Sequence, residues 1–409
     1  MTEEILIEEL TERTKELSKD RILLAIQDTS EVNLISHEHR LKTNSGIGRT
    51  DSSHQGLGFK IHPTLVVDAD TLHPLGFSSL SIWHRPIDMA DRHKREYQKQ
   101  KIEDKESYKW IKASNQSKEV LQTARTVIII QDREGDIYEQ LSQIPDKKYH
   151  LLIRSKANRN LVEGGSLWGT LSKQESKGCY RIEVEGNQRK QISKRIATIE
   201  IRYIHTAVKR PHTAIGNKTS ETELYAIEAR EVNATGASPI LWRLITTYPV
   251  KTYEDACRIV QWYACRWLIE QVFRLLKKQG FDIESSELEE GWAVRKLCIL
   301  MLSSILKIIQ MKLAYDSEEE GQQTAEVFTE TEQACLKELN RKLEGKTSKL
   351  KNPYQPHQLK WATWVIGRLA GWKGYASQRT IGIISISKGL DRFYLIYQGW
   401  TLALDVGTR

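Results

Sequence analysis

The chain has 409 residues, 39% of them hydrophobic, which is enough to bury a large core and long enough for two or three domains. Lys and Arg (61) outnumber Asp and Glu (53), and the net charge of +8 favours a polyanionic partner. No apolar stretch approaches the roughly 20 residues of a membrane span, the acidic start MTEEILIEEL is not a secretory signal, and the five scattered cysteines form no C-x-x-C pair; a cytoplasmic protein without membrane partner, disulfide framework or zinc site is expected.

In chain order, residues 2–19 predict an amphipathic helix capped by Thr2, with Ile5, Leu6, Ile7, Leu10 and Leu17 set among charges. The apolar run from Ile22 to Ile26 reads as a buried strand, and it ends at Asp28. Leu57 to Ala69 and Leu75 to Trp83 predict two further strands joined by a polar turn, and the Lys/Glu/Gln-rich stretch from about 90 to 108 is a solvated connection or helix. The β-branched run from Thr126 to Ile130 ends at Gln131-Asp132; helical spacing starts near Asp136, and Tyr149 to Ile153 make another strand. From 157 to 238 short alternating segments separated by Gly, Asn and basic clusters predict a separate, mostly β unit. A strand over Leu241 to Thr247 and a helix from Tyr253 through Lys278 follow, and the rest is mostly helical, with a charged, poorly patterned stretch between about 316 and 352. The domain division expected is 1–156, 157–238, 239–315 and 316–409.

Two apolar runs that each end in an Asp suggest parallel strands presenting carboxylates at one rim, where α/β active sites are assembled. Asp28 and Asp132 are the candidates, although an Asp at a strand end also serves as an ordinary turn or helix cap. The stretch from Trp262 to Lys277 contains neither Gly nor Pro. At roughly 100° per residue it places Tyr263, Arg266, Glu270 and Lys277 on one narrow stripe, opposite an apolar arc of Cys265, Leu268, Ile269, Val272, Phe273, Leu275 and Leu276. An acid flanked by cations on a mostly buried helix points to function; the plainer reading is that Arg266 and Glu270 simply pair at i,i+4.

The pattern Y-x-x-R-x-x-x-E-x-x-x-x-x-x-K over Tyr263, Arg266, Glu270 and Lys277 resembles the signature of the insertion-sequence-4 family of DDE transposases. Gln131 to Ile137 resembles that family's D-R-E-x-D block, Ala25 to Thr29 its first catalytic block, and Leu57 to Pro63 and Ile153 to Lys156 are also similar. Trp242 stands ahead of Tyr263 at the family's distance.

The resemblance implies a ribonuclease-H-like α/β catalytic core, interrupted between Asp132 and Glu270 by the β unit and followed by a helical C-terminal region. It implies a cut-and-paste transposase whose catalytic and metal-holding residues are Asp28, Asp132 and Glu270, with two Mg²⁺ ions for which Mn²⁺ can substitute. It also implies nicking, hairpin formation and strand transfer on double-stranded DNA, in the nucleoid, by a homodimer paired through the C-terminal helices. Tyr263, Arg266 and Lys277 are then phosphate contacts, Arg133, Arg154 and Lys156 end-DNA contacts or surface charges, Trp242 the platform for a flipped base or a core residue, and Trp267 either of these. Arg189, Lys190, Lys194 and Arg195 of the β unit form either a DNA grip or a solvated edge. The family normally carries an N-terminal DNA-binding domain ahead of the first acid, and little chain precedes Asp28 here, so a truncated, non-catalytic regulator that forms mixed dimers with full-length transposase is the alternative expectation. A ribonuclease-H-like nuclease unrelated to transposition accounts for the acids but not for the Tyr263 to Lys277 stripe.

Overall fold

The computed structural model describes the chain apart from residues 43, 51–55, 87–99, 185–193, 235–238, 279, 319–320, 375–379 and 408–409 and the side chains of 405–407. Three apolar runs, β1 (Ile22–Gln27), β6 (Thr126–Gln131) and β7 (Tyr149–Arg154), lie side by side and parallel in one mixed sheet. Strands buried on both faces need no polar alternation. Here alternate residues feed two cores: Leu24, Ile26, Ile128, Ile130 and Leu152 one, and Leu23, Ala25, Val127, Ile129 and Leu151 the other.

Next to β1, β4 (Leu57–Asp68) runs antiparallel and carries β2 (Ser30–Asn33), β3 (Gly48–Arg49) and β5 (Pro74–Trp83). Beyond β7, β11 (Leu241–Thr246) leads outward to β10 (Glu221–Val232), β9 (Arg195–Lys209) and β8 (Gly178–Val184), all antiparallel. The strands from the segment 157–238 therefore continue the same sheet through β11 instead of forming a sheet of their own.

One face is covered by α2 (Tyr108–Val120), α3 (Tyr138–Gln143) and α4 (Leu167–Ser172), which supply Ile111, Leu141, Leu167 and Leu171 to the second core. The other carries α1 (Glu3–Leu17), α5 (Tyr253–Ala264), α6 (Trp267–Lys277), α7 (Gly291–Asp316) and the C-terminal helices α8 (Thr324–Val327), α9 (Glu330–Leu343), α10 (Leu359–Leu369) and α11 (Ile383–Gly407). Thr2 caps α1 as expected, accepting from the Ile5 amide. The helix crosses β5 at Gly76, where an added Cβ would lie 1.9 Å from the Thr14 hydroxyl, so only glycine permits the approach.

Three sequence expectations are corrected. The helix from Tyr253 to Lys278 is broken at Cys265–Arg266, where the amides of Arg266, Leu268 and Ile269 bond three residues back, to Tyr263, Cys265 and Arg266. The stretch 316–352 contains α8 and α9; a reciprocal capping box between Thr329 and Glu332 starts α9, and Cys335 and Leu336 bury its apolar face. Helix α7 is long and apolar enough to cross a membrane by length and composition, contrary to the hydropathy reading of the sequence. Its Val294, Cys298, Leu302, Ile305 and Met311 are instead buried in the first core, so its apolarity serves that packing.

Candidate active site

The rim at the C-terminal ends of the parallel strands is built from below. Ile26 pairs with Ile130, so Asp28 and Asp132 leave neighbouring strands two residues further on. Beneath them Gln27 and Gln131 are fully buried and joined side chain to side chain: the Gln131 amide donates to Gln27 Oε1 at 2.8 Å, and Gln27 donates to Ser114 Oγ at 3.2 Å. Buried amides are costly unless paired, and here the pairing clamps the two strand ends together.

Each acid is also fixed locally. Asp28 Oδ1 accepts from the Thr29 amide at 2.8 Å, and the Thr29 hydroxyl is bonded to His62 Nδ1 at 2.9 Å. His62 is wholly buried, edge-on to Trp110, and burial pushes its pKa down to about 3, so it is a neutral prop behind the turn. Asp132 caps a short 3₁₀ turn over Arg133–Gly135 by accepting from the Glu134 amide at 2.8 Å. Asp136 is structural: it accepts from the amides of Lys156 and Ala157 at 2.7 and 2.9 Å and pairs with buried Arg159, tying the turn after β6 to the loop after β7.

Glu270 arrives on α6 with half of its side chain exposed. The Arg266 guanidinium joins it to the rim, with Nη1 2.8 Å from Asp28 Oδ2 and Nη2 bonded to Glu270 Oε1. Burial is the largest influence on Asp28 and raises its pKa to about 6; Arg266 and the Thr29 amide oppose this, while the charges of Asp132 and Glu270 add to it. Asp28 thus lies within electrostatic reach of both other acids, and an arginine is the cation that it and Glu270 hold. Among the described residues no three His, Cys, Asp or Glu side chains are drawn together closely enough to hold a metal ion. The chemistry of the three nevertheless suits a hard divalent ion, since all are carboxylates, and two of them, Asp28 and Glu270, already balance an internal cation.

The expected DNA-binding residues divide. Tyr263 is 4% exposed, not open on a stripe; its hydroxyl lies beside the guanidinium groups of Arg266 and Arg154, and its ring meets Trp242 edge-on at 5.3 Å. The break between α5 and α6 explains the difference, because the wheel drawn through a continuous helix no longer applies across it. Trp242 is half-buried, whereas Trp267, the first residue of α6, is 48% exposed. Lys277 is half-buried and paired with Glu284 at 3.7 Å. In the β unit Arg195 is bound to Glu231 and Lys194 to Glu183, while Arg189 and Lys190 lie outside the described residues.

Arg133, Arg154 and Lys156 come together. With Ser155, Trp168, Leu241 and Arg243 they line a cavity of about 270 Å³ that has four cations and no acid on its walls. Burial, and then the nearby positive charges of Arg133 and Arg266, lower the pKa of Arg154, so this wall favours an anion. Trp168 donates to Ser155 Oγ at 3.0 Å and carries the Arg243 guanidinium 5.0 Å above its ring. Arg243 is anchored by the fully buried Glu228 at 2.9 Å, which Arg202 and Arg230 also contact. Sequence reasoning missed Trp168 and Arg243. Strand alternation would have placed Arg243 on the opposite face of β11 from Trp242, but nothing in the sequence brings Trp168 to it.

The chain resembles a family of proteins and a solved structure. The family described as "Transposase DDE domain" matches residues 91–306, just over half of the chain, a span that includes Asp132 and Glu270 but not Asp28. Among solved structures the chain is similar to piggyBac transposase in a cryo-EM structure of its synaptic complex with hairpin DNA, at 8% identity and a TM-score of 0.29. That similarity covers 77% of this chain and 62% of the piggyBac chain, so this chain spans less than two thirds of its length.

Proposed function

Because the chain belongs to the transposase DDE domain family, we propose that it is a cut-and-paste DNA transposase of the insertion-sequence-4 type with Asp28, Asp132 and Glu270 as its catalytic acids. The observation that carries this reading is the meeting of two adjacent parallel strand ends with a helix-borne acid, all three within one electrostatic network. The strand order β5-β4-β1-β6-β7, with β4 antiparallel to the first of three parallel strands, supports a ribonuclease-H-like core.

The acids would hold two Mg²⁺ ions, which when bound activate the attacking hydroxyl and stabilise the departing oxygen. The chain's own residues supply position. The Gln27–Gln131 clamp and the Thr29–His62 prop fix the two rim acids, so little reorganisation is needed when substrate arrives. Arg154, Arg133, Lys156 and Arg243 receive backbone phosphates in the acid-free cavity, Arg154 and Arg266 share the Tyr263 hydroxyl beside the cut, and Lys277 extends the contact along α6. Trp242 and Trp267 offer ring faces to a base displaced from the duplex. Ile384, Leu395 and Leu402, all exposed on α11, suit pairing with a second copy.

The test is incubation of the full chain with duplexes ending in candidate terminal inverted repeats, with Mg²⁺ or Mn²⁺, followed by denaturing electrophoresis. Nicked and hairpin products that disappear with Asp132→Asn are expected. Cleavage that survives Asp132→Asn sinks the assignment of the acids, and cleavage without hairpins removes the cut-and-paste chemistry.

A further inference from the structure

We propose that Arg266 is a displaceable internal counter-ion that couples occupancy of the acid site by divalent cations to occupancy of the neighbouring surface by DNA. The inference rests on the DNA-processing function proposed above and adds a switch to it.

The geometry is specific. One arm of the Arg266 fork is spent on Asp28 at the rim and the other on Glu270 one helical turn along, so a single guanidinium bridges two acids that the fold brings together from 242 residues apart. A helical i,i+4 pair alone would leave the second arm free for solvent. The bridged carboxylates belong to a cluster in which Asp132 also repels Asp28. Removing the guanidinium with nothing in its place therefore leaves crowded, partly desolvated negative charge, which a divalent cation relieves.

The same guanidinium has a competing ligand class within reach. A planar fork binds a phosphodiester in two-point fashion as well as it binds a carboxylate. The surroundings of Arg266 on the other side are the Tyr263 hydroxyl and Arg154, with Arg133 beyond, a group in which cations outnumber the one nearby carboxylate, Asp132, and which therefore attracts an anion. A phosphate seated there draws the fork away from Asp28 and Glu270. Its anchoring point suits such a swing: Arg266 lies at the α5–α6 junction, where bonding is three residues back, and its side chain is 21% exposed.

DNA binding thus bares the acids for cations, and cations arriving at the acids release Arg266 for DNA. Linkage requires the two effects to be equal in size, and couplings of this kind lie at about 5- to 150-fold. In the DNA-free protein the acid site is filled by a side chain, which keeps a nuclease-type centre weakly loaded with metal until substrate is present.

The experiment measures Mn²⁺ binding to the full chain by electron paramagnetic resonance of the free ion, with and without a short random-sequence duplex at low salt. The wild type is expected to bind Mn²⁺ about 10-fold more tightly once the duplex is present. Arg266→Gln is expected to bind Mn²⁺ tightly without DNA and to gain less than about 2-fold from the duplex, because the competing fork is gone. Arg266→Lys, which keeps the charge but cannot bridge two carboxylates, should fall between them. Weaker Mn²⁺ binding in Arg266→Gln than in the wild type overturns the proposal, as does an undiminished response to the duplex. A wild type that binds no duplex sinks the DNA reading itself, whereas one that binds duplex with unchanged Mn²⁺ affinity sinks only the coupling. Thermal melting of each variant accompanies the titration; an Arg266→Gln protein that melts lower without Mn²⁺ and regains the loss with it supports the proposal, and one that Mn²⁺ does not stabilise opposes it.

Discussion

The strand-end rim and the α5–α6 junction contribute to the same site by opposite means. At the rim every acid is held by backbone amides and buried partners: Asp28 by Thr29 and His62, Asp132 by the Glu134 amide, and the loops around them by Asp136 and Arg159. At the junction Glu270 is half exposed and is bonded to the Arg266 fork, itself shared with the rim. Rigid strands fix where charge must accumulate, while the helix end keeps the groups that must exchange partners when substrate binds. Removing the buried partners that fix the rim should therefore cost stability, and perturbing the junction should change binding.

The largest effect expected is on activity. Asp132→Asn keeps the cap on the Arg133–Gly135 turn, because an amide oxygen accepts as a carboxylate does, yet it removes the charge. Cleavage should fall to background while the melting temperature stays near that of the wild type; a collapse in stability would mean that the charge, not the cap, holds this turn. The largest effect on stability belongs to Asp136→Ala. It leaves the Arg159 guanidinium buried and unpaired and frees the amides of Lys156 and Ala157, at a cost of about 3–5 kcal/mol. Denaturant unfolding measures it, and a loss below about 1 kcal/mol, the range of exposed pairs, would show that the loops are held by something else.

This contrast also explains what the sequence disclosed. The rim was legible because apolar runs ending in Asp reflect a local rule, that buried parallel strands carry uninterrupted aliphatic residues and expose polar groups at their ends. The Gln27–Gln131 clamp, the Asp136–Arg159 tie and the Trp168–Arg243 stack were not legible, since each depends on which distant segments the sheet makes neighbours. The break after Ala264 has no Gly or Pro to announce it, so the stripe through Tyr263 and Lys277 looked continuous. That α9 is helical was hidden by its charged surface, although its Thr329–Glu332 capping box was present in the sequence.

Between the two regions stands Asp28, and its titration sharpens the comparison. Its folded pKa of about 6 lies above the ordinary 3.8, so between these values the folded chain binds a proton that the unfolded chain has lost. Stability from this group is fully present below the ordinary value and is lost as pH rises through about 6, a change of up to about 3 kcal/mol. Asp28→Asn escapes that loss. Relative to the wild type it should be more stable at pH 8 and close to equal at pH 4, and a difference that does not vary with pH would show that the carboxyl is not held charged against its surroundings.

The smallest expected effect tests the far end of the junction helix. Lys277 is paired with Glu284, whose carboxylate also accepts from the Asn33 amide at 3.0 Å, so the lysine leans on a partner that is already fixed. Such a part-exposed pair at 3.7 Å contributes less than about 1 kcal/mol, and Lys277→Ala should hardly move the unfolding midpoint. Its effect belongs to DNA: if Lys277 trades Glu284 for a backbone phosphate, the slope of log affinity against log salt should fall by about 1 in the alanine variant. Glu284→Gln should move the opposite way, tightening duplex binding by freeing the lysine while leaving the slope close to that of the wild type. If both substitutions weaken binding, the pair acts as a structural strut for α6 and the exchange of partners ends at Arg266.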